Sequence, residues 1–173
     1  MPDATGLELI AQRVAEAVGE DAVADTVYFR DQATLDVSPG SVHDVLEYLR
    51  DRDPDPWPLL MSLHGVDYLP DEPRLGVHYQ LLSTERLDRM AVRTRLGVDD
   101  PKLRSVVDIF PTADHQEREV YDFFGIDFEG HPDLRRILMP EDYVGFPQRR
   151  DFPIGGEPVI FTYNEHQIPR WYE

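Results

Sequence analysis

The chain has 173 residues, enough for one compact domain, with 41% hydrophobic and 10% aromatic side chains, so a folded core is expected and wholesale disorder is not. A formal net charge of −17 disfavours nucleic acid and anionic lipid as partners. The absence of cysteine removes disulfides, thiolate-held zinc, iron–sulfur ligation and a cysteine nucleophile.

The N-terminus MPDATGLELIAQRV has neither the basic region nor the apolar core of a signal peptide, and no run approaches the roughly 18 apolar residues of a membrane span. Residues 5–18 place Leu7, Ile10, Val14 and Val18 at helical spacing, with Thr5 and Glu8 as an expected capping box and Gly19 as a stop. VADTVYFRD and QATLDVSP alternate like two strands joined in a hairpin near Asp31 and Gln32. SVHDVLEYLRDR then puts Val42, Val45, Leu46 and Leu49 on one helical face.

Beyond the turn DPDPWP, strands are expected in LLMSLHGVDYL, RLGVHYQLLS and RMAVRTRLG, the last two alternating as an antiparallel pair, and again in LRSVVDIFP. PTADHQEREVYDFFG predicts a third helix capped by Gly125, with Gln116, Val120, Phe123 and Phe124 towards the sheet and Arg118 bridging Asp114 and Asp122 at four-residue steps. The order predicts an α/β (α+β) fold, a two-layer sandwich of a mixed or antiparallel sheet with helices, over residues 1–139.

From Pro140 the prolines at 147, 153, 158 and 169 and the glycines at 145, 155 and 156 interrupt every period, so residues 140–173 are expected to form an extended C-terminal docking tail. It still carries Phe146, Phe152, Ile154, Phe161 and Trp171, and residues 135–173 are nearly neutral, with 6 acidic against 5 basic side chains. Arg135, Arg136, Arg149 and Arg150 are the densest basic cluster, read as partner docking.

Enzymatic signals are weak. There is no G-x-G-x-x-G, P-loop or G-x-S-x-G. His115, Glu119 and Asp122 share a helical flank where a divalent metal is conceivable, but no second histidine pair supports it, and His43, His64 and His78 read as structural.

The segment EREVYDFFGIDFEGHPDLRRILMPEDYVGFPQRRDFP, Glu117 to Pro153, closely resembles the signature of the 30 kDa subunit, designated C, of respiratory NADH:quinone oxidoreductase (complex I). That signature is an E-R-E-x-x-D helix ending in glycine, G-H-P-x-L-x-R-I-L, then a basic pair before D-F-P. The chain departs from it where Gln148 and Arg150 stand in place of a leucine and a lysine. The resemblance implies a cofactor-free structural subunit without catalytic residues, at the cytoplasmic face of the cell membrane. It implies a complex that carries electrons from NADH through FMN and iron–sulfur clusters in other subunits to quinone, coupled to proton translocation. The implied partners are the quinone-site subunit (designated D), the terminal-cluster subunit (designated B) and the subunit designated I. The implied interface is Glu117, Arg118, Glu119, Asp122, His131, Arg135, Arg136, Arg149, Arg150, Asp151, Phe152 and Pro153. The alternative is the equivalent subunit of an F420H2 dehydrogenase, a ferredoxin-dependent plastoquinone reductase or an energy-converting hydrogenase.

Overall fold

A computed structural model describes residues 2–153. Helix α1 (Ala4–Val18) buries Leu7, Ile10 and Val14 at the expected spacing. Its cap is Asp3 rather than Thr5: the Asp3 carboxylate accepts from Gly6 N–H at 2.7 Å, so the helix starts one residue before Thr5. Strands β1 (Val23–Phe29) and β2 (Gln32–Val37) form the hairpin, with Phe29 opposite Gln32. The turn is Arg30–Asp31, one residue earlier than expected, and both have positive φ (49° and 59°), as a two-residue type I′ turn requires.

Helix α2 (Val42–Asp51) follows, then β3 (Leu59–Asp67), β4 (Leu75–Ser83) and β5 (Asp88–Leu96). The five strands form one mixed sheet in the order β1-β2-β5-β4-β3, with the β2–β5 pair parallel and the others antiparallel. The segment LRSVVDIFP yields only β6 (Lys102–Arg104) and then turns, where Ile109 and Phe110 N–H both donate to the Val106 carbonyl. The physical reason lies in the spacing of Val106, Ile109 and Phe110, all buried: it is that of a helical turn, not of a strand.

Helix α3 (Ala113–Phe124) ends at Gly125, whose φ of 71° is the left-handed conformation that glycine adopts without Cβ strain, and β7 (Asp127–Glu129) pairs in parallel with β6. The core lies between the helices and one sheet face: Leu46 and Leu49 of α2, Leu35, Val77, Tyr79, Leu81 and Val92 of the sheet, and Val120 of α3 are all buried. The alternation of buried and half-exposed residues along β4 and β5 leaves the opposite face outside this core. The expected two-layer sandwich around a mixed sheet is thus the observed architecture.

Candidate docking face

The signature segment surrounds α3 and the loops that follow it. One turn before Val120, the Glu117 side chain is fully enclosed: one oxygen accepts from Ser105 Oγ at 2.7 Å and the other from Val106 N–H at 2.8 Å. Burial raises its pKa to about 7. His131 is also enclosed, and its Nδ1 accepts from Asp133 N–H at 3.0 Å. That bond assigns the proton to Nε2, which donates to the Asp114 carbonyl at 3.1 Å and stands 4.0 Å from Glu117.

Asp122 organises the neighbouring loop. Its side chain is fully enclosed and takes four donors: Arg136 at 2.7 Å and the successive N–H groups of Ile137, Leu138 and Met139 at 3.0, 2.8 and 2.8 Å. Burial alone pushes its pKa up, but these donors together hold it below the ordinary carboxylate value. Arg136 also donates to the Gly145 carbonyl and lies over the rings of Tyr143 and Phe146. Phe146 in turn packs where a Cβ on residue 125 would stand, so Gly125 serves both the turn and this close approach.

The loop held this way turns apolar side chains outward: Leu138 and Val144 are 60% and 65% exposed, and Ile137 is also exposed. The I-L-M run inside a loop rich in proline and glycine is a sequence signal for Ile137 and Leu138, whereas Val144 stands outside it.

Arg118 does not bridge Asp114 and Asp122. It donates to the carbonyls of Arg135 and Arg136 at 3.1 and 3.3 Å, because Arg136 already occupies Asp122. The flank of α3 expected to face the sheet includes Val120 and Phe124, both buried, while Gln116 uses its side-chain oxygen to cap Leu63 N–H on edge strand β3. The metal trio does not converge, since His115 is 76% exposed and Asp122 is enclosed. Among the described residues, no group of three or more His, Asp or Glu side chains is placed to hold a metal ion.

The basic cluster divides. Arg135 is exposed and pairs with Asp133 at 2.6 Å, whereas Arg149 donates to the Phe124 carbonyl at 2.7 Å, a favourable position for a cation at the end of α3. Arg150 donates its backbone N–H to Asp67 at 2.7 Å and its guanidinium to the Leu69 carbonyl. Asp151 receives two bonds from Arg74, at 2.8 and 2.6 Å, and Arg74 simultaneously grips the enclosed Asp67. Arg74 and Asp67 had no signal in the sequence, being joined through the β3–β4 connection rather than by helical spacing.

Residues 140–153, expected as part of the extended tail, are therefore hydrogen-bonded to the domain at Phe123, Phe124 and Asp67. Of the expected interface, Glu117, Asp122 and the His131 ring face inward, Arg118, Arg136, Arg149 and Phe152 are half-buried, and Glu119, Arg135, Arg150, Asp151 and Pro153 are exposed. The tail expected over residues 154–173 lies outside the described residues.

Comparison with known proteins agrees with this motif. Residues 35–158 match the family described as "Respiratory-chain NADH dehydrogenase, 30 Kd subunit". The NADH-quinone oxidoreductase subunit designated C from Mycolicibacterium gilvum is 42% identical over 166 residues, covering 92% of this chain and 72% of that protein. The Salinispora arenicola counterpart is 44% identical, covering 90% of this chain and 66% of that protein, and the Roseiflexus castenholzii counterpart is 41% identical, covering 88% of each.

Among solved structures, the trypsin-resistant fragment (1-134) of Nqo5 is 28% identical with a TM-score of 0.58, covering 72% of this chain and 99% of that one. A chain of the membrane-bound sulfane sulfur reductase, an archaeal respiratory membrane complex, is 25% identical with a TM-score of 0.69, covering 96% of this chain and 94% of that one. The match over most of the chain, with the signature built into one hydrogen-bonded unit, places this protein in the 30 kDa subunit family of respiratory-chain NADH dehydrogenase, the NADH-quinone oxidoreductases.

Proposed function

We propose that the chain is the docking 30 kDa subunit of an NADH-quinone oxidoreductase, contributing shape and contact area rather than a redox centre to electron transfer from NADH through FMN and iron–sulfur clusters to quinone. The observation that carries this reading is the Asp122 hub. An enclosed carboxylate that fixes three consecutive backbone N–H groups stiffens a loop in which the apolar side chains of Ile137, Leu138 and Val144 are exposed beside the acidic Glu141 and Asp142. Ordering a loop in the free protein lowers the entropic cost of later binding, and exposed apolar groups gain about 25 cal/mol per Å² when a partner covers them.

The partners are the quinone-site subunit, the terminal-cluster subunit and the subunit designated I, with the complex at the cytoplasmic face of the membrane. Among the described residues no helix is long and apolar enough to cross a bilayer, so attachment runs through the other subunits. A cysteine-free chain offers no thiolate to an iron–sulfur cluster. The test is to purify the tagged chain under mild conditions: the quinone-site subunit should co-elute in equal amount, and the preparation should oxidise NADH with quinone. A chain that elutes without the quinone-site subunit contradicts the proposal.

The likeness to a chain of the sulfane sulfur reductase favours one second reading, the equivalent subunit of a related membrane-bound complex. An assembly that contains a homologue of the quinone-site subunit yet does not oxidise NADH supports that reading.

A further inference from the structure

The outer face of the five-stranded sheet, opposite the helices, carries a charge pattern unlike the rest of the chain. Along β5, Arg89, Arg93 and Arg95 project to that face, since the intervening Met90, Val92, Thr94 and Leu96 are buried. Arg89 and Arg93 line the same open cleft of about 370 Å³, and Arg93 and Arg95 both lie over the Tyr68 ring, at 6.0 and 4.4 Å. At about 3.4 Å per residue, the guanidinium stems stand roughly 14 and 7 Å apart along the strand.

The acids sharing this face are Asp25 and Asp36, opposite one another on β1 and β2. Asp36 is already taken by Arg93 as a two-pronged pair, and Asp25 caps Thr26 N–H at 2.8 Å. Arg89 is exposed and has no hydrogen bond or ion pair among the described residues. Two guanidinium nitrogens of Arg95 are enclosed without an acceptor. A chain of net charge −17 thus presents, on a sheet face that the other described elements leave open, Arg89 without a carboxylate, Arg95 with two nitrogens lacking an acceptor and Arg93 paired only with Asp36, beside the exposed ring of Phe29 and the apolar Val27 and Ala91 that line the same cleft.

We propose that this face is a docking surface distinct from the Asp122 loop, where Arg89, Arg93 and Arg95 receive an acidic, extended segment of another protein in the assembly. The mixture of cations with apolar walls suits a peptide carrying carboxylates at strand-like intervals. A broad polyanion such as RNA or an anionic bilayer would have to approach the acidic flanks as well and is repelled there.

Lys102 is the only lysine in the chain, so Arg89→Lys or Arg95→Lys places a unique amine on this face. Each tagged variant is purified with the subunits it assembles with and treated with a water-soluble carbodiimide, which joins amines to carboxylates in direct contact. The expected result is an amide between the introduced amine and an aspartate or glutamate of another subunit, suppressed by high salt and absent when the amine is introduced instead by Arg104→Lys on β6. In an assembled preparation, an amine left free or joined only to carboxylates of its own chain overturns the proposal. So does coupling abolished by delipidation or nuclease, which assigns the face to lipid or nucleic acid. A chain that elutes alone contradicts both this proposal and the assembly reading, whereas an assembled chain without the bond contradicts this one only.

Discussion

Replacing Asp122 by asparagine keeps the size of the side chain and removes its charge. In the native protein the carboxylate is fully enclosed and takes the Arg136 guanidinium and three successive backbone N–H groups. Arg136 binds one carboxylate oxygen and the three N–H groups bind the other, so the amide, with a single acceptor oxygen, turns its NH2 group towards either the guanidinium or all three N–H groups, and in both orientations the Arg136 charge loses its counter-charge. Breaking a buried ion pair on one side costs about 3 to 5 kcal/mol when nothing relaxes. Loop movement lowers this, and we expect a loss of about 3 kcal/mol, which corresponds to a melting-temperature fall of roughly 6 to 12 °C for a domain of this size.

Because the Asp122 pKa is depressed in the folded state, its contribution is present above the unfolded value of about 3.9 and fades as pH falls through the folded value. Urea unfolding of protein and variant at pH 7, repeated towards pH 3, measures both quantities, and hydrogen exchange reads the amides of Ile137, Leu138 and Met139. The two proteins should converge at low pH, and the three amides should exchange faster in Asp122→Asn. A stability loss under about 0.5 kcal/mol at pH 7 with these amides still protected refutes the hub.

Glu117 carries the opposite sign: its folded pKa of about 7 lies above the unfolded 4.5, so the stability it contributes in its protonated form is complete below 4.5 and is lost as pH rises towards 7. Glu117→Gln should therefore gain about 3 kcal/mol relative to the native protein between those limits, at 1.36 kcal/mol per pH unit, and parallel pH profiles in urea unfolding contradict the assignment. Gly125→Ala meets both a φ of 71° and the Phe146 ring, and a loss of at least about 1 to 3 kcal/mol is expected by thermal unfolding, with an unchanged melting curve as the contrary result. Arg74→Ala releases Asp151 and the enclosed Asp67, so trypsin should cleave after Arg149 or Arg150 sooner than in the native chain, and identical digestion patterns would show that the latch does not hold this segment.

The helices and most strands were legible because their signals are local. Four apolar residues at helical spacing place α1, and alternation along β4 and β5 fixes which side chains enter the core. Local signals also explain the small errors: Asp3 and Thr5 are both capping residues two positions apart, and only the geometry selects Asp3. Val106, Ile109 and Phe110 sit in an apolar run that resembles a strand until their three- and four-residue spacing is weighed.

The candidate site was legible as residue types and not as roles. Arg118 was expected to pair with Asp122 because four-residue spacing on a helix is a strong prior, yet the true partners of Asp122 lie 14 to 17 residues away in a segment with no period to read. The grip of Arg74 on Asp151 spans 77 residues and has no sequence signal at all, which is why residues 140–153 were expected to leave the domain rather than lie against it.

The most direct test of the docking account compares two exposed leucines. Leu138, on the Asp122 loop, is 60% exposed, and Leu87, on the β4–β5 turn, is 79% exposed, so aspartate at either position should change stability by no more than about 0.5 kcal/mol. Tagged chains bearing Leu138→Asp or Leu87→Asp are purified from cells and the co-eluting quinone-site subunit is quantified. The account predicts that Leu138→Asp loses the quinone-site subunit while Leu87→Asp retains it and both melt like the native chain; equal recovery of that subunit with the two variants contradicts it.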